Sequence, residues 1–120
     1  MEDKLVIIST NGPENPEKAT LPFVLATAAQ TVDVKVVVIL QANAVMVAKK
    51  GEAEVIGAPG FLPLKSLVDT FLELGGELLL CTPCVKERGI SDQELVEGAA
   101  PIAAGTVVAE VLSAKSVVTY

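Results

Sequence analysis

Leu78-Leu79-Leu80-Cys81-Thr82-Pro83-Cys84-Val85-Lys86-Glu87-Arg88-Gly89-Ile90 joins a short apolar run to a cysteine pair, a proline and a glycine. The run, with Glu77 before it, reads as a buried strand over residues 77–81. Proline suits only the first turn of a helix, so a helix beginning around Pro83 or Cys84 follows, and Gly89 supplies the left-handed residue that ends it. A strand passing straight into a helix is the repeating step of a parallel α/β sheet. In such sheets ligands bind at the carboxyl ends of the strands, where helix N-termini and loops converge. Cys81 and Cys84 stand at that edge.

The same alternation runs outward in both directions. Residues 4–9 read as a strand, 10–15 as a Gly-Pro loop, and 16–30 as a helix with Asn15 at its N-cap and Pro16 in its first position. The expected buried stripe of that helix is Leu21, Val24, Leu25 and Ala28. Residues 34–40 are a continuous apolar strand. Residues 42–50 read as a short helix closed by Gly51, and 52–61 as an irregular loop. Leu64, Leu67, Val68, Phe71 and Leu72 fall at helical spacing within residues 62–74, ahead of Gly75-Gly76. Ser91-Asp92-Gln93-Glu94 has the capping-box pattern and predicts a short helix to Glu97. A small strand over 99–103, a helix over 106–113 and a last strand over 116–119 complete the chain. The sum is a three-layer α/β/α architecture with a mainly parallel five-stranded sheet.

Composition agrees. The 120 residues are 51% hydrophobic yet include only three Phe and one Tyr. A Val-, Leu-, Ala- and Ile-rich interior is that of a parallel sheet covered on both faces. The length suits a single domain over residues 1–120. A net charge of −6 without clustered Lys or Arg argues against nucleic acid or an anionic membrane as partner. The start, Met1-Glu2-Asp3-Lys4, lacks the features of a secretion signal, and no apolar stretch approaches the roughly 20 residues of a spanning helix. The expected compartment is the cytoplasm, where a CxxC is redox-active, sulfur-carrying or metal-binding rather than a structural staple.

A thiol is a nucleophile as its thiolate, and cations, a helix N-terminus or a CxxC partner lower its pKa. Lys86 and Arg88 are therefore the expected stabilisers of an anionic sulfur at Cys81. The chain contains no histidine, which removes Cys-His and Ser-His pairs and leaves thiol activation to electrostatics. Two cysteines cannot complete a four-ligand zinc site, so a metal would require thiolates pooled between subunits, and no cofactor is expected. Thr10, Asn11 and Gly12, after the first strand, are candidate lining residues for a thiol pocket. Neither GxGxxG nor GxxxxGK[ST] occurs in the chain.

Leu5 to Gly12 leading into Asn15-Pro16-Glu17-Lys18-Ala19, the segment Leu80-Cys81-x-x-Cys84-x-Lys86-x-Arg88-Gly89-Ile90, and the closing residues 107–120 together resemble the DsrE family. The strand-Cys-x6-Arg-Gly-Ile segment is the most specific piece. The resemblance implies a flavodoxin-like fold and a small cytoplasmic protein in homo- or hetero-oligomers, with trimers and hexamers among the options. It also implies, as in sulfur-relay members, a persulfide on one cysteine, exchanged with donor and acceptor proteins. Cys81 occupies that cysteine's position. Cys84 departs from the pattern, which commonly has Ala there, and a second thiol could resolve a persulfide or form a dithiol–disulfide couple.

Three functions follow as expectations. The leading one is a sulfur carrier or sulfurtransferase component. The second is a CxxC oxidoreductase, against which stands the motif's late place in the chain compared with thioredoxin. The third is a non-catalytic oligomeric protein with contacts from residues 44–46 and 59–63.

Overall fold

The computed structural model describes residues 3–120 of the chain. Its elements in order are β1 (Lys4–Ser9), α1 (Pro16–Gln30), β2 (Lys35–Leu40), a 3₁₀ segment (Ala42–Ala48), α2 (Leu64–Glu73), β3 (Glu77–Cys81) and α3 (Thr82–Glu87). A second 3₁₀ turn (Asp92–Glu94), β4 (Ala99–Ile102), α4 (Ala104–Ser113) and β5 (Ser116–Thr119) follow. The five strands form one all-parallel sheet in the order β4-β3-β2-β1-β5. The flavodoxin-like α/β class expected from the sequence is the class observed.

Handedness explains the layers. The steps β1 to β2 to β3 to β4 all move the same way across the sheet, so right-handed crossovers place α1, α2 and α3 on one face. The step from β4 to β5 returns across the whole sheet and puts α4 on the other face. The first face carries the main core: Ile7, Val36, Val38, Leu40, Leu78 and Leu80 from the strands meet Phe23, Leu64, Phe71 and Val85. The second carries a smaller one, in which Val6, Val37 and Ile39 pack beneath Val107 and Val111 of α4. Lys4 Nζ donates to Glu110 Oε1 at 3.0 Å and fastens α4 to β1.

Several expectations are corrected. The buried residues of α1 are Ala19, Thr20, Pro22, Phe23 and Ala26, whereas Leu21, Val24 and Leu25 are half-buried and Ala28 is exposed. This helix is apolar around most of its circumference, so periodicity selects no single face. The face is chosen by Phe23, whose ring lies edge-on to Phe71 at 5.7 Å. Asn15 caps α1 as expected, accepting from the Lys18 amide at 3.1 Å.

Residues 42–48 form a 3₁₀ rather than an α-helix. Ala44 stacks with Val47, and Val45 with Ala48, at the three-residue repeat of that geometry, and all four are buried. Ala44 and Val45 are thus core residues and not surface contacts, while Met46 packs partly buried against the same core. Ser91 and Glu94 are hydrogen-bonded as a capping pair, the Ser91 amide donating to Glu94 Oε1 at 3.0 Å, yet only one 3₁₀ turn follows. The Lys50 amide takes the Glu94 carbonyl at 2.7 Å, and the Val96 amide takes that of Ala48 at 2.9 Å. That tertiary pairing draws the chain away from helix before Glu97. Among the described residues no helix is long and apolar enough to cross a membrane.

Candidate thiol site

The crossovers that build the layers also make a crevice. The chain leaves β3 toward the first face, into α3, and leaves neighbouring β4 toward the second, into α4. The carboxyl ends of β3 and β4 are thus a topological switch point. Cys81 is the last residue of β3 and the N-cap of α3. It opens onto a cavity of about 290 Å³ lined by Gln41, Cys81, Pro83, Ile102, Ala104, Val107 and Val108, mostly apolar. A larger polar cleft of about 550 Å³ lies at the amino ends of the strands, lined by residues such as Gln30, Lys35 and Glu77, away from both thiols.

Both cysteines are free thiols, half-buried, with their sulfurs 2.8 Å apart in hydrogen-bond contact. They face different surroundings. Cys84 packs against the main core and accepts the Ala42 amide at 3.2 Å. Ala42 reaches that position with a φ of 51°, an uncommon conformation for a residue bearing a side chain. Thr82 Oγ1 donates to the Ile102 carbonyl at 2.8 Å and ties the start of α3 to the end of β4.

The expected lowering of the Cys81 pKa is reversed. Burial pushes the thiol above its usual value, and the hydrogen bond and charge of Cys84 push it the same way. The Cys84 backbone amide in the first turn of α3 and the Arg88 guanidinium pull it down without prevailing. An α-helix of six residues supplies little dipole, and its side-chain cap is not made. Alkylation of Cys81 with iodoacetamide is therefore expected to climb with pH through a midpoint above that of an ordinary thiol, and Cys84→Ala should move that midpoint down. Peptide mass spectrometry across a pH series reads both.

The remaining candidates separate. Arg88 lies beside the pair: Nη1 donates to the Cys84 carbonyl at 3.1 Å and Nε to Asn43 Oδ1 at 3.1 Å. Lys86 is exposed on α3, and Gly89 takes the left-handed conformation at φ 63° that ends the helix. Thr10, Asn11 and Gly12 do not line the Cys81 cavity. Thr10 Oγ1 donates to the Tyr120 carbonyl at 2.8 Å instead. Gly12 is packed so closely on the 3₁₀ segment that a Cβ would stand 2.1 Å from the Asn43 carbonyl oxygen. Gly12→Ala is accordingly expected to destabilise the protein by about 1–3 kcal/mol, read as a lower urea midpoint at unchanged slope.

Gln41, Ile102, Val107 and Val108 were not singled out from the sequence. Gln41 could have been, because it follows the apolar run of β2 at the same sheet edge. Val107 and Val108 reach the site only because α4 crosses back over the sheet. No group of three or more His, Cys, Asp or Glu residues converges among the described residues in a way that could hold a metal.

A doubly wound parallel sheet with a cysteine pair at its switch point defines this chain as a flavodoxin-like α/β protein with a thiol site. It belongs to the DsrE/DsrF-like family, whose sequence model matches residues 3–120. Its relatives include two proteins of Methanocaldococcus jannaschii. MJ0989 is 32% identical over 98% of this chain and 99% of its own length, and MJ0760 is 34% identical over 80% of this chain. The chain spans 35% of the length of MJ0760. The fold is shared with the ychN protein from E. coli, with a TM-score of 0.83, 23% identity, and coverage of 98% of this chain and 99% of that one. It is also shared with MTH1491 from Methanobacterium thermoautotrophicum, with a TM-score of 0.70, 13% identity and full coverage of both chains. The family supports a role of the sulfur-relay type.

Proposed function

We propose that this protein carries sulfane sulfur as a persulfide on Cys81. The observation that carries the reading is that Cys81 lines an apolar cavity at the switch point with its sulfur 2.8 Å from a second thiol. The Cys81 thiolate attacks the outer sulfur of a donor persulfide, R–S–S⁻. The donor S–S bond breaks, R–S⁻ leaves with the electron pair, and Cys81 holds the new S–S⁻ group. The cavity gives that group a site screened from bulk water. For release, the Cys84 thiolate attacks the outer sulfur, the S–S bond to Cys81 breaks and Cys81 leaves as its thiolate; an acceptor thiolate then attacks the outer sulfur now on Cys84, takes it as its own persulfide and leaves the Cys84 thiolate. Incubation with polysulfide or a sulfur-loaded rhodanese should add one sulfur atom per chain in intact mass spectra. No gain in mass overturns the reading.

The 2.8 Å separation of the sulfurs also favours a second reading, a dithiol–disulfide couple between Cys81 and Cys84. A redox titration in which no internal disulfide forms removes it. The chain works as a homo-oligomer in either case. Val108 and Leu112, 56% and 80% exposed on α4, and Leu62, 67% exposed, support that assembly. Light scattering should give a mass of at least two chains.

A further inference from the structure

A chain of side chains leads from the Arg88 guanidinium back to the loop after β1. Arg88 Nε donates to Asn43 Oδ1 at 3.1 Å, and Asn43 Nδ2 donates to Glu14 Oε1 at 2.7 Å. The Gly12 amide donates to the same carboxylate oxygen at 2.8 Å, which anchors its far end. The Asn43 amide is thereby fixed in orientation, one end giving to the carboxylate and the other accepting from the guanidinium. Asn43 also sits one residue after Ala42, whose amide contacts the Cys84 sulfur. The loops after β1 and β2 thus meet α3 through these side chains and through the Ala42 amide.

We infer that Glu14 and Asn43 are positioning residues that hold Arg88 against the Cys81–Cys84 pair. The inference rests on the thiol site proposed above and deepens it by naming what sets the charge there. Arg88 is exposed, and an exposed, long side chain loses rotamer freedom when it is held in one place. Its second donor bond, to the Cys84 carbonyl, keeps it on α3 but leaves the guanidinium free to swing about that contact. The Asn43 acceptor removes that freedom. Burial raises the Glu14 pKa, but its hydrogen bonds from Asn43 and from backbone amides, together with the Arg88 charge, lower it further than burial raises it. The anchor therefore stays ionised at neutral pH.

Few other charges compete. The 3₁₀ segment and β4 packed against α3 contain no titratable side chain, and β3 has only Cys81 and Glu77, the latter paired with Lys35 at the far end of the sheet. Lys86 and Glu87 are exposed on α3 itself, and Lys49 and Glu94 pair with each other at 3.7 Å.

The test is the pH profile of Cys81 alkylation by iodoacetamide in Asn43→Ala, Glu14→Gln, Arg88→Gln and the double variant Asn43→Ala/Arg88→Gln. Each single variant is expected to shift the profile to higher pH, with alkylation at pH 8 slowed about two- to threefold, the scale of an exposed charge interaction. The double variant should shift no further than Arg88→Gln alone, because both act through one guanidinium. An unshifted profile in Asn43→Ala, or additive shifts in the double variant, overturns the inference. Alkylation is independent of sulfur loading. Failure of the wild type to gain a sulfur therefore strikes the carrier function and leaves this result standing.

Discussion

Cys81→Ser is expected to bring sulfane-sulfur loading from one atom per chain to none while leaving the fold unchanged. A serine hydroxyl is close in size to the thiol and can keep a hydrogen bond to Cys84. The strand end stays fastened by the Thr82 bond to the Ile102 carbonyl. What is lost is the soft nucleophile that attacks a donor S–S bond. Cys84 does not replace it. Its sulfur is absent from the cavity lining, packs against the core and is held by the Ala42 amide. Cys84→Ser should therefore still load one sulfur but release it more slowly to an acceptor thiol. Intact mass spectra of the three proteins after polysulfide treatment, followed by dithiothreitol, read both effects. Sulfur retained on Cys81→Ser sinks the assignment of Cys81, and a two-proton mass loss in the wild type with no added sulfur would identify the dithiol couple instead.

How much of this was legible from the residues depends on whether the deciding signal is local. The β3 strand, the cysteine pair at and after its end and the turn at Gly89 were, because apolar runs and Pro/Gly punctuation act within a few residues. β1 and β5 were legible for the same reason. The buried face of α1 was not: its composition offers several apolar stripes, and the choice is made by a ring on another helix, Phe71. The 3₁₀ form of residues 42–48 was missed because four-residue and three-residue repeats differ little over one short apolar segment. At the site, the thiols were visible but their electrostatics were not. Nearby Lys86 and Arg88 suggested a lowered Cys81 pKa, and only the geometry reveals that burial and the second thiol outweigh Arg88. Glu14 and Asn43 lie 74 and 45 residues from Arg88 in sequence, and no local pattern connects them.

The second large effect concerns stability and the paired glycines after α2. Phe71 is fully buried, so Phe71→Ala is expected to cost about 3–5 kcal/mol, a large part of the roughly 5–15 kcal/mol of a typical domain. Gly75 takes φ 86° and gives its amide to the Leu72 carbonyl at 3.0 Å, closing the helix, while the Gly76 amide reaches back to the Phe71 carbonyl at 2.9 Å. That return folds Gly76 flat against the ring of the residue it bonds. A Cβ on Gly76 would stand 2.2 Å from Phe71 Cε1 and 2.5 Å from Cδ1 and Cζ. The ring cannot retreat, because Phe23 meets it at 5.7 Å on the core side. Gly76→Ala should therefore cost about 1–3 kcal/mol by overpacking in the wild-type background. In Phe71→Ala the ring is gone, and the same substitution should cost far less. Urea denaturation of the four proteins gives the coupling directly. Additive losses would mean that Gly76 is required for its backbone conformation alone. Coupling would mean that the second glycine is there to admit the phenylalanine ring that also orients α1.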